Sequence, residues 1–179
     1  MTMFSGQDPR FGPNVARVSS PEVDGGFVRP EIAVTVDAAI FTSRDDEPML
    51  VLVERGNEPF LGTWALPGGF VEIDEDLPDA ASRELSEETG LQVPTGALTQ
   101  LGAYGTPGRD PRMRVVSVVF WAYIADLPDP VGGSDAARSQ LISVSNALAP
   151  DFELAFDHKP IVGDAVEAAS QGAFPVSKG

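Results

Sequence analysis

The chain has 179 residues, about the allowance for one domain. Acidic side chains outnumber basic ones 27 to 12, and the formal net charge of −15 repels phosphate backbones and argues against binding nucleic-acid polymers. With 42% hydrophobic residues, no cysteine and a single histidine, a disordered acidic tail, disulfides, thiol nucleophiles and poly-His metal sites are excluded as well. Residues 1–30 hold eight Gly or Pro and no helix or strand period, so they read as an N-terminal extension. Met1–Asp8 lacks the basic and apolar regions of a signal peptide. Ile32–Thr42 is apolar and β-branched and predicts a strand; Arg44–Pro48 predicts a turn and Met49–Glu54 a second strand, making a hairpin. Trp64–Val71 is a short extended stretch around Pro67-Gly68-Gly69. Leu77–Thr89 predicts a helix stopped by Gly90. Leu98–Tyr104 and Val115–Ile124 predict strands, the latter so apolar that it should be central and covered on both faces. Gln140–Val144 predicts one more strand, and Phe156–Ala169 a closing helix with Asp157 as its candidate cap. Strands mixed with two separated helices predict an α+β fold, a sheet covered on both sides. The most apolar stretch, Val115–Ala125, is broken by Ser117 and far shorter than the ~20 residues a membrane span needs. A cytoplasmic protein with no membrane partner is expected.

The charge is concentrated. Between Gly69 and Leu91, 23 residues, eight acidic side chains face one base, Arg83, a net of −7. On a helix, Glu84, Glu87 and Glu88 fall within an arc of about 100°, with Leu77 inside it and Ala81 and Leu85 nearby. The carboxylates therefore border the apolar stripe. Like charges at such spacings cost roughly 0.2–0.5 kcal/mol per pair, more if partly buried. A hard divalent cation removes the repulsion, and oxygen-only ligands suit Mg²⁺ or Mn²⁺.

The segment reads Gly69, five residues, Glu75, seven residues, then Arg83-Glu84-Leu85-Ser86-Glu87-Glu88-Thr89-Gly90-Leu91. It resembles the Nudix box at every fixed position; a chance match is on the order of 10⁻⁷ at ordinary residue frequencies. Leu61–Val71 is similar to the strand and loop that precede that box, and the element spacing from Ile32 to about Ala169 resembles a Nudix domain. The resemblance implies an α/β/α sandwich around a mixed β-sheet over residues 31–172, with 173–179 as a tail. It also implies hydrolysis of a nucleoside diphosphate linked to another group. Glu84, Glu87 and Glu88 would bind the divalent metals, with Glu84 or Glu87 as the candidate base. Arg83 would pair with Glu75, while Gly68 and Gly69 would give close backbone approach and Gly69 a carbonyl ligand.

Tyr104–Arg114 carries Arg109, Arg112 and Arg114 within six residues, a candidate receptor for phosphates. Its Gly-Arg-Asp-Pro-Arg stretch, Pro107, and Leu154–Ile161 resemble the ADP-ribose pyrophosphatase-like branch. That implies ADP-ribose cleaved to AMP and ribose 5-phosphate. Other Nudix reactions, on an oxidised nucleoside triphosphate or a dinucleotide, and a non-catalytic nucleotide sensor are the alternatives. Several members of the branch place a catalytic glutamate before the last helix region; here Asp126–Ala137 holds Asp126, Asp129 and Asp135 but no glutamate, making Asp135 a shorter candidate. Arg55 is a further candidate substrate contact, and Phe27, Phe60, Trp64 and Tyr104 are candidate base-stacking aromatics. His158 is expected to be structural. Enzymes similar to this one are often homodimers, and residues 1–30 would suit an exchanged arm.

Overall fold

The computed structural model describes residues 23–24, 27–28, 31–132 and 136–171. Strands β1 (Val23–Asp24) and β2 (Phe27–Val28) pair antiparallel. No strand was expected there, because two-residue strands are too short for a period to register. β3 (Ala33–Arg44) and β4 (Glu47–Arg55) form the expected hairpin. It turns at Asp45 and Asp46, both left-handed at φ 48° and 65°, the pairing of positive angles that matches strand twist.

β5 (Trp64–Ala65), β6 (Gly68–Phe70) and α1 (Leu77–Thr89) follow, then a 3-10 turn at Thr95–Ala97. β7 (Thr99–Tyr104), β8 (Val115–Tyr123), β9 (Ala136–Ser143), α2 (Val144–Ala147) and α3 (His158–Ser170) complete the order. The sheet runs β5-β4-β3-β8-β7, with β6 also on β3 and β9 also on β4. It is mixed: β3 and β8 are parallel from Ala33–Val115 to Phe41–Tyr123, and the other pairs are antiparallel. β8 is central, as expected.

Period-two alternation divides the core. Val36, Ala38 and Ile40 of β3 and Phe120 and Ala122 of β8 pack with Ala81 and Leu85 of α1 or beside them. Ala39 and Phe41 of β3, Leu50 and Leu52 of β4 and Val119 of β8 pack on the other face with Ile161, Val162 and Ala165 of α3. This is the sandwich that the pattern predicts. One edge of β3 serves two partners. Phe41–Arg44 pair with β4, while Thr35–Asp37 pair with β6, and Pro67 accepts a bond from Ala38 N–H at 2.9 Å between them. The Leu66–Gly68 loop is thus wedged into the sheet and delivered to the C-terminal half of α1, where Gly68 meets Glu88.

Candidate active site

The helix bearing the glutamates is fixed by local chemistry. Asp76 caps it by accepting from Leu77 N–H at 2.8 Å, and Pro78 sits in the first turn, where no amide donor is needed. Gly90, at φ 70°, ends it and donates to Ser86 O at 2.9 Å. Burial of Ala80, Ala81 and Leu85 sets its rotation.

That rotation turns Glu84 and Glu88 to β6. Gly68 N–H donates to Glu88 Oε2 at 3.0 Å. A Cβ on Gly69 would lie 2.6 Å from Glu84 Oε2, closer than real side chains come. A Cβ on Gly68 would lie 2.7 Å from Asp37 Oδ1 and 2.9 Å from Asp37 Cα. Arg83 is the hub. Nε and Nη2 donate to the two Glu75 oxygens at 2.7 and 2.8 Å, Nη1 to Glu84 at 2.8 Å and Glu87 at 3.4 Å, and Nη2 to Phe70 O at 3.2 Å.

The Arg83 bonds hold Glu75 below the usual carboxylate range, and Glu75 in turn raises Arg83. Burial pushes Glu84 up against the pull of Arg83. Glu88, desolvated and near Glu84 and Asp37, is pushed up to about 8 despite its bond from Gly68. Glu87 is the exposed member of the three.

The three arginines of the following loop do not form one patch. Arg109 is buried, with its guanidinium on both Asp157 oxygens at 2.6 and 3.0 Å and 3.9 Å from Asp37. Its expected role as an open phosphate receptor is therefore corrected: burial would leave its charge unpaired without Asp157. Asp157 stands at the N-cap of α3, as expected, but its carboxylate makes no cap bond and serves Arg109 instead. Arg112 forks onto Asp110 at 2.7 to 3.2 Å but keeps its guanidinium 5.6 Å from the Phe70 ring centroid and 6.0 Å from that of Phe156. Arg114 bonds Val115 O at 3.3 Å. Arg55 lies 4.8 Å from the Phe156 centroid and interacts electrostatically with Glu88 and Asp37; burial, then Arg112, lower its affinity for a proton. Asp135 lies outside the described residues, as does the Phe27 side chain. Tyr104 bonds Asp164 at 2.8 Å and Trp64 lies under Arg138.

Sequence reasoning missed Asp37. It is buried, accepts from Ser117 Oγ, and lies 3.5 Å from His158 Nε2. His158 Nδ1 accepts from Leu66 N–H at 2.9 Å, so the first residue of α3 pins the loop before Gly68. The available signal was a lone acid in the apolar run Ile32–Thr42. Phe156 was missed too, although it lies within Leu154–Ile161, a stretch that carries the family resemblance.

The donor chemistry fits a hard divalent cation. The set is all oxygen, two of its carboxylates are desolvated without a full counter-charge, and Gly69 leaves a cradle a side chain would fill. The cage is not preassembled. Among the described residues no three such groups converge on one point, because Arg83 holds Glu84 and Glu87 while Gly68 holds Glu88.

Comparison with known proteins identifies the family. Residues 32–164 match the NUDIX domain. The chain is 39% identical over 137 residues to an ADP-ribose pyrophosphatase of Methanocaldococcus jannaschii, covering 74% of this chain and 72% of that one. It is 36% identical over 138 residues to the ADPR responsive transcriptional repressor NtrR of Acinetobacter baylyi, spanning 76% of this chain but only 54% of the repressor. Among solved structures, a MutT/nudix family protein from Enterococcus faecalis superposes with a TM-score of 0.72 at 28% identity, covering 84% of this chain and 66% of that chain. The NUDIX domain of Shewanella oneidensis NrtR, solved with ADP ribose, superposes at 0.68 and 29% identity, covering 91% and 94%. The glutamate helix, the glycine loop and these matches together place the chain in the Nudix family.

Proposed function

We propose that residues 31–172 form a hydrolase that cleaves ADP-ribose to AMP and ribose 5-phosphate with Mg²⁺ or Mn²⁺. The observation that carries this reading is the meeting of Glu84 and Glu88 with the Gly68–Gly69 loop. The Methanocaldococcus relative supports the substrate. Glu84, Glu87, Glu88 and the Gly69 carbonyl would hold the cation, which supplies charge neutralisation of the diphosphate and a more acidic water. One bond of the P–O–P bridge breaks and one P–O bond to water forms. Glu84 or Glu87 takes the proton that water loses. Arg83 orients both, and Glu75 anchors Arg83. Glycine at 68 and 69 leaves no side chain between backbone and phosphate. Arg55 and Arg112 supply the cations facing the anionic substrate. Arg109 acts by holding Asp157. Most of residues 1–30, expected to suit an exchanged arm, lie outside the described residues; light scattering of the full chain against a chain starting at Glu31 tests that expectation.

Incubation with ADP-ribose and Mg²⁺, with products identified by mass, tests the activity. AMP and ribose 5-phosphate are expected, and absence of both at high enzyme concentration overturns the reading. A panel with oxidised nucleoside triphosphates and dinucleotides, scored the same way, separates the other Nudix reactions. A second reading, a nucleotide sensor without turnover, is favoured by the likeness to the Acinetobacter repressor and to the ADP-ribose-bound NrtR domain. The surplus of acid over base argues against a DNA-binding role for this chain. Binding of ADP-ribose with no product would favour the sensor. No helix among the described residues is long and apolar enough to cross a membrane.

A further inference from the structure

Glycines at 68 and 69 bring conformational freedom to a place where directions must be fixed. Pairing with β3 fixes the inner edge of this segment. Its approach is set by Pro67, whose ring locks φ, and by Leu66. Leu66 is buried, and its N–H has an unusual acceptor. Trp64 bridges Leu154 in parallel, and Ala155 N–H donates to Trp64 O at 2.8 Å. One rung further, that ladder would carry Leu66 N–H to the Ala155 carbonyl. The chain turns away instead, at left-handed Phe156 (φ 55°), and the Ala155 carbonyl accepts from His158 N–H at 3.1 Å. The His158 ring replaces the carbonyl that its own amide has taken: Nδ1 accepts from Leu66 N–H at 2.9 Å. Across the ring, Nε2 lies 3.5 Å from Asp37 Oδ1. Asp37 also accepts from Ser117 Oγ and lies 3.9 Å from Arg109.

We propose that His158, as a neutral imidazole protonated on Nε2, is a positioning residue for the cation site, aiming the Gly68 N–H and the Gly69 carbonyl through its hold on Leu66. The assignment rests on the reading of Glu88 and Gly69 as cation ligands. An acceptor toward Leu66 and a carboxylate before the other nitrogen together select that one form of the ring. An imidazolium would set two N–H groups against each other at Leu66. A carboxylate in place of the ring would repel Asp37. Burial lowers the affinity of His158 for a proton, opposed by Asp37 and Asp157 and aided by Arg109 and Arg55. From Leu66 the restraint passes through Pro67, whose carbonyl accepts from Ala38 N–H, to Gly68, whose N–H meets Glu88. Without the ring acceptor, a buried N–H would be left unpaired, and the loop would turn to satisfy it.

His158 is the single histidine of the chain, so proton–nitrogen correlation spectra of the full chain read its ring without assignment. A proton on Nε2 and none on Nδ1 is expected, and added Mg²⁺ should shift the ring signals. Two variants then separate the two sides of the ring. Asn places an oxygen where Nδ1 lies and keeps the acceptor; Gln places its amide where Nε2 lies and loses it. Both remove ring volume and should lower Tm alike. His158→Gln should weaken Mn²⁺ binding, followed by electron paramagnetic resonance, about 10- to 100-fold and lower kcat on ADP-ribose by a similar factor, with KM within about threefold. His158→Asn should recover most of both. A proton on Nδ1, ring signals that ignore Mg²⁺, equal losses in the two variants, or no loss in His158→Gln overturns the assignment, as does an unmodified chain that binds no Mn²⁺. The same contrast in Mn²⁺ affinity, in a chain that leaves ADP-ribose intact, upholds His158 and overturns the hydrolase reading alone.

Discussion

The carboxylate of Glu84 occupies the space that a side chain on Gly69 would need. The obstacle is the tip of a flexible side chain, so the fold can yield where the site cannot. Gly69→Ala should cost less than about 1 kcal/mol of stability while lowering kcat roughly 100-fold, because Glu84 must move by about an ångström. At Gly68 the obstacles include the Val36 carbonyl and Asp37 Cα, both backbone. Gly68→Ala should therefore destabilise the fold by roughly 1–3 kcal/mol. Denaturant melts and initial rates on both variants check the contrast; equal stability losses would contradict it.

The Arg83–Glu75 fork is two charge-assisted bonds between partly buried groups. Glu75→Ala should cost roughly 1–3 kcal/mol and also reduce kcat, since Arg83 loses the anchor from which it reaches Glu84 and Glu87. A double-mutant cycle with Arg83→Ala should give a coupling of about 1–2 kcal/mol. Additive losses would show that the fork contributes nothing.

Glu88 carries a pH signature. Its folded value of about 8 lies above the ordinary 4.5, so between those values the folded chain keeps a proton that the unfolded chain releases. Stability attributable to this group therefore falls as pH rises from about 4.5 to about 8. In a chelator, the unmodified chain minus Glu88→Gln should show that slope, a few kcal/mol in all. Mg²⁺ should recover stability at the alkaline end, because the cation stabilises the ionised carboxylate. A flat difference curve would remove Glu88 from the desolvated set.

Arg109 and Asp157 separate a structural pair from a substrate contact. Asp157→Asn leaves a buried guanidinium without its counter-charge and should cost roughly 3 kcal/mol, with KM for ADP-ribose within about twofold. Arg112→Ala, at the exposed lip, should raise KM with little change in Tm. Chemical melts and steady-state kinetics on the two variants decide between the roles, and a large KM change in Asp157→Asn would return Arg109 to the substrate site.

What was legible in the sequence was what local chemistry decides. α1 spans Leu77–Thr89 as expected because Asp76, Pro78 and Gly90 each act within one turn. β8 announced its central place by near-continuous apolarity. β9 begins at Ala136, earlier than expected, because its register is set by pairing with β4 rather than by its own mixed sequence. α2 escaped notice since four residues carry no period. Asp157 was legible as the N-cap of α3, but not the destination of its carboxylate, because the partner that claims it lies 48 residues away. The Asp37–Ser117 and Phe60–Phe156 contacts likewise join segments whose closeness only the closed sheet creates.

The bond from Leu66 N–H to His158 Nδ1 spans 92 positions of the chain. During synthesis, every glutamate of α1 and both loop glycines leave the ribosome long before the residue that pins their loop. A nascent chain halted ahead of α3 would carry every glutamate of α1, with the Leu66–Gly68 segment held by β3 and Glu88 but still lacking the bond from Leu66 to His158. Readiness for chemistry thus comes late in the life of the nascent chain, with a single imidazole near its far end as the closing fastener.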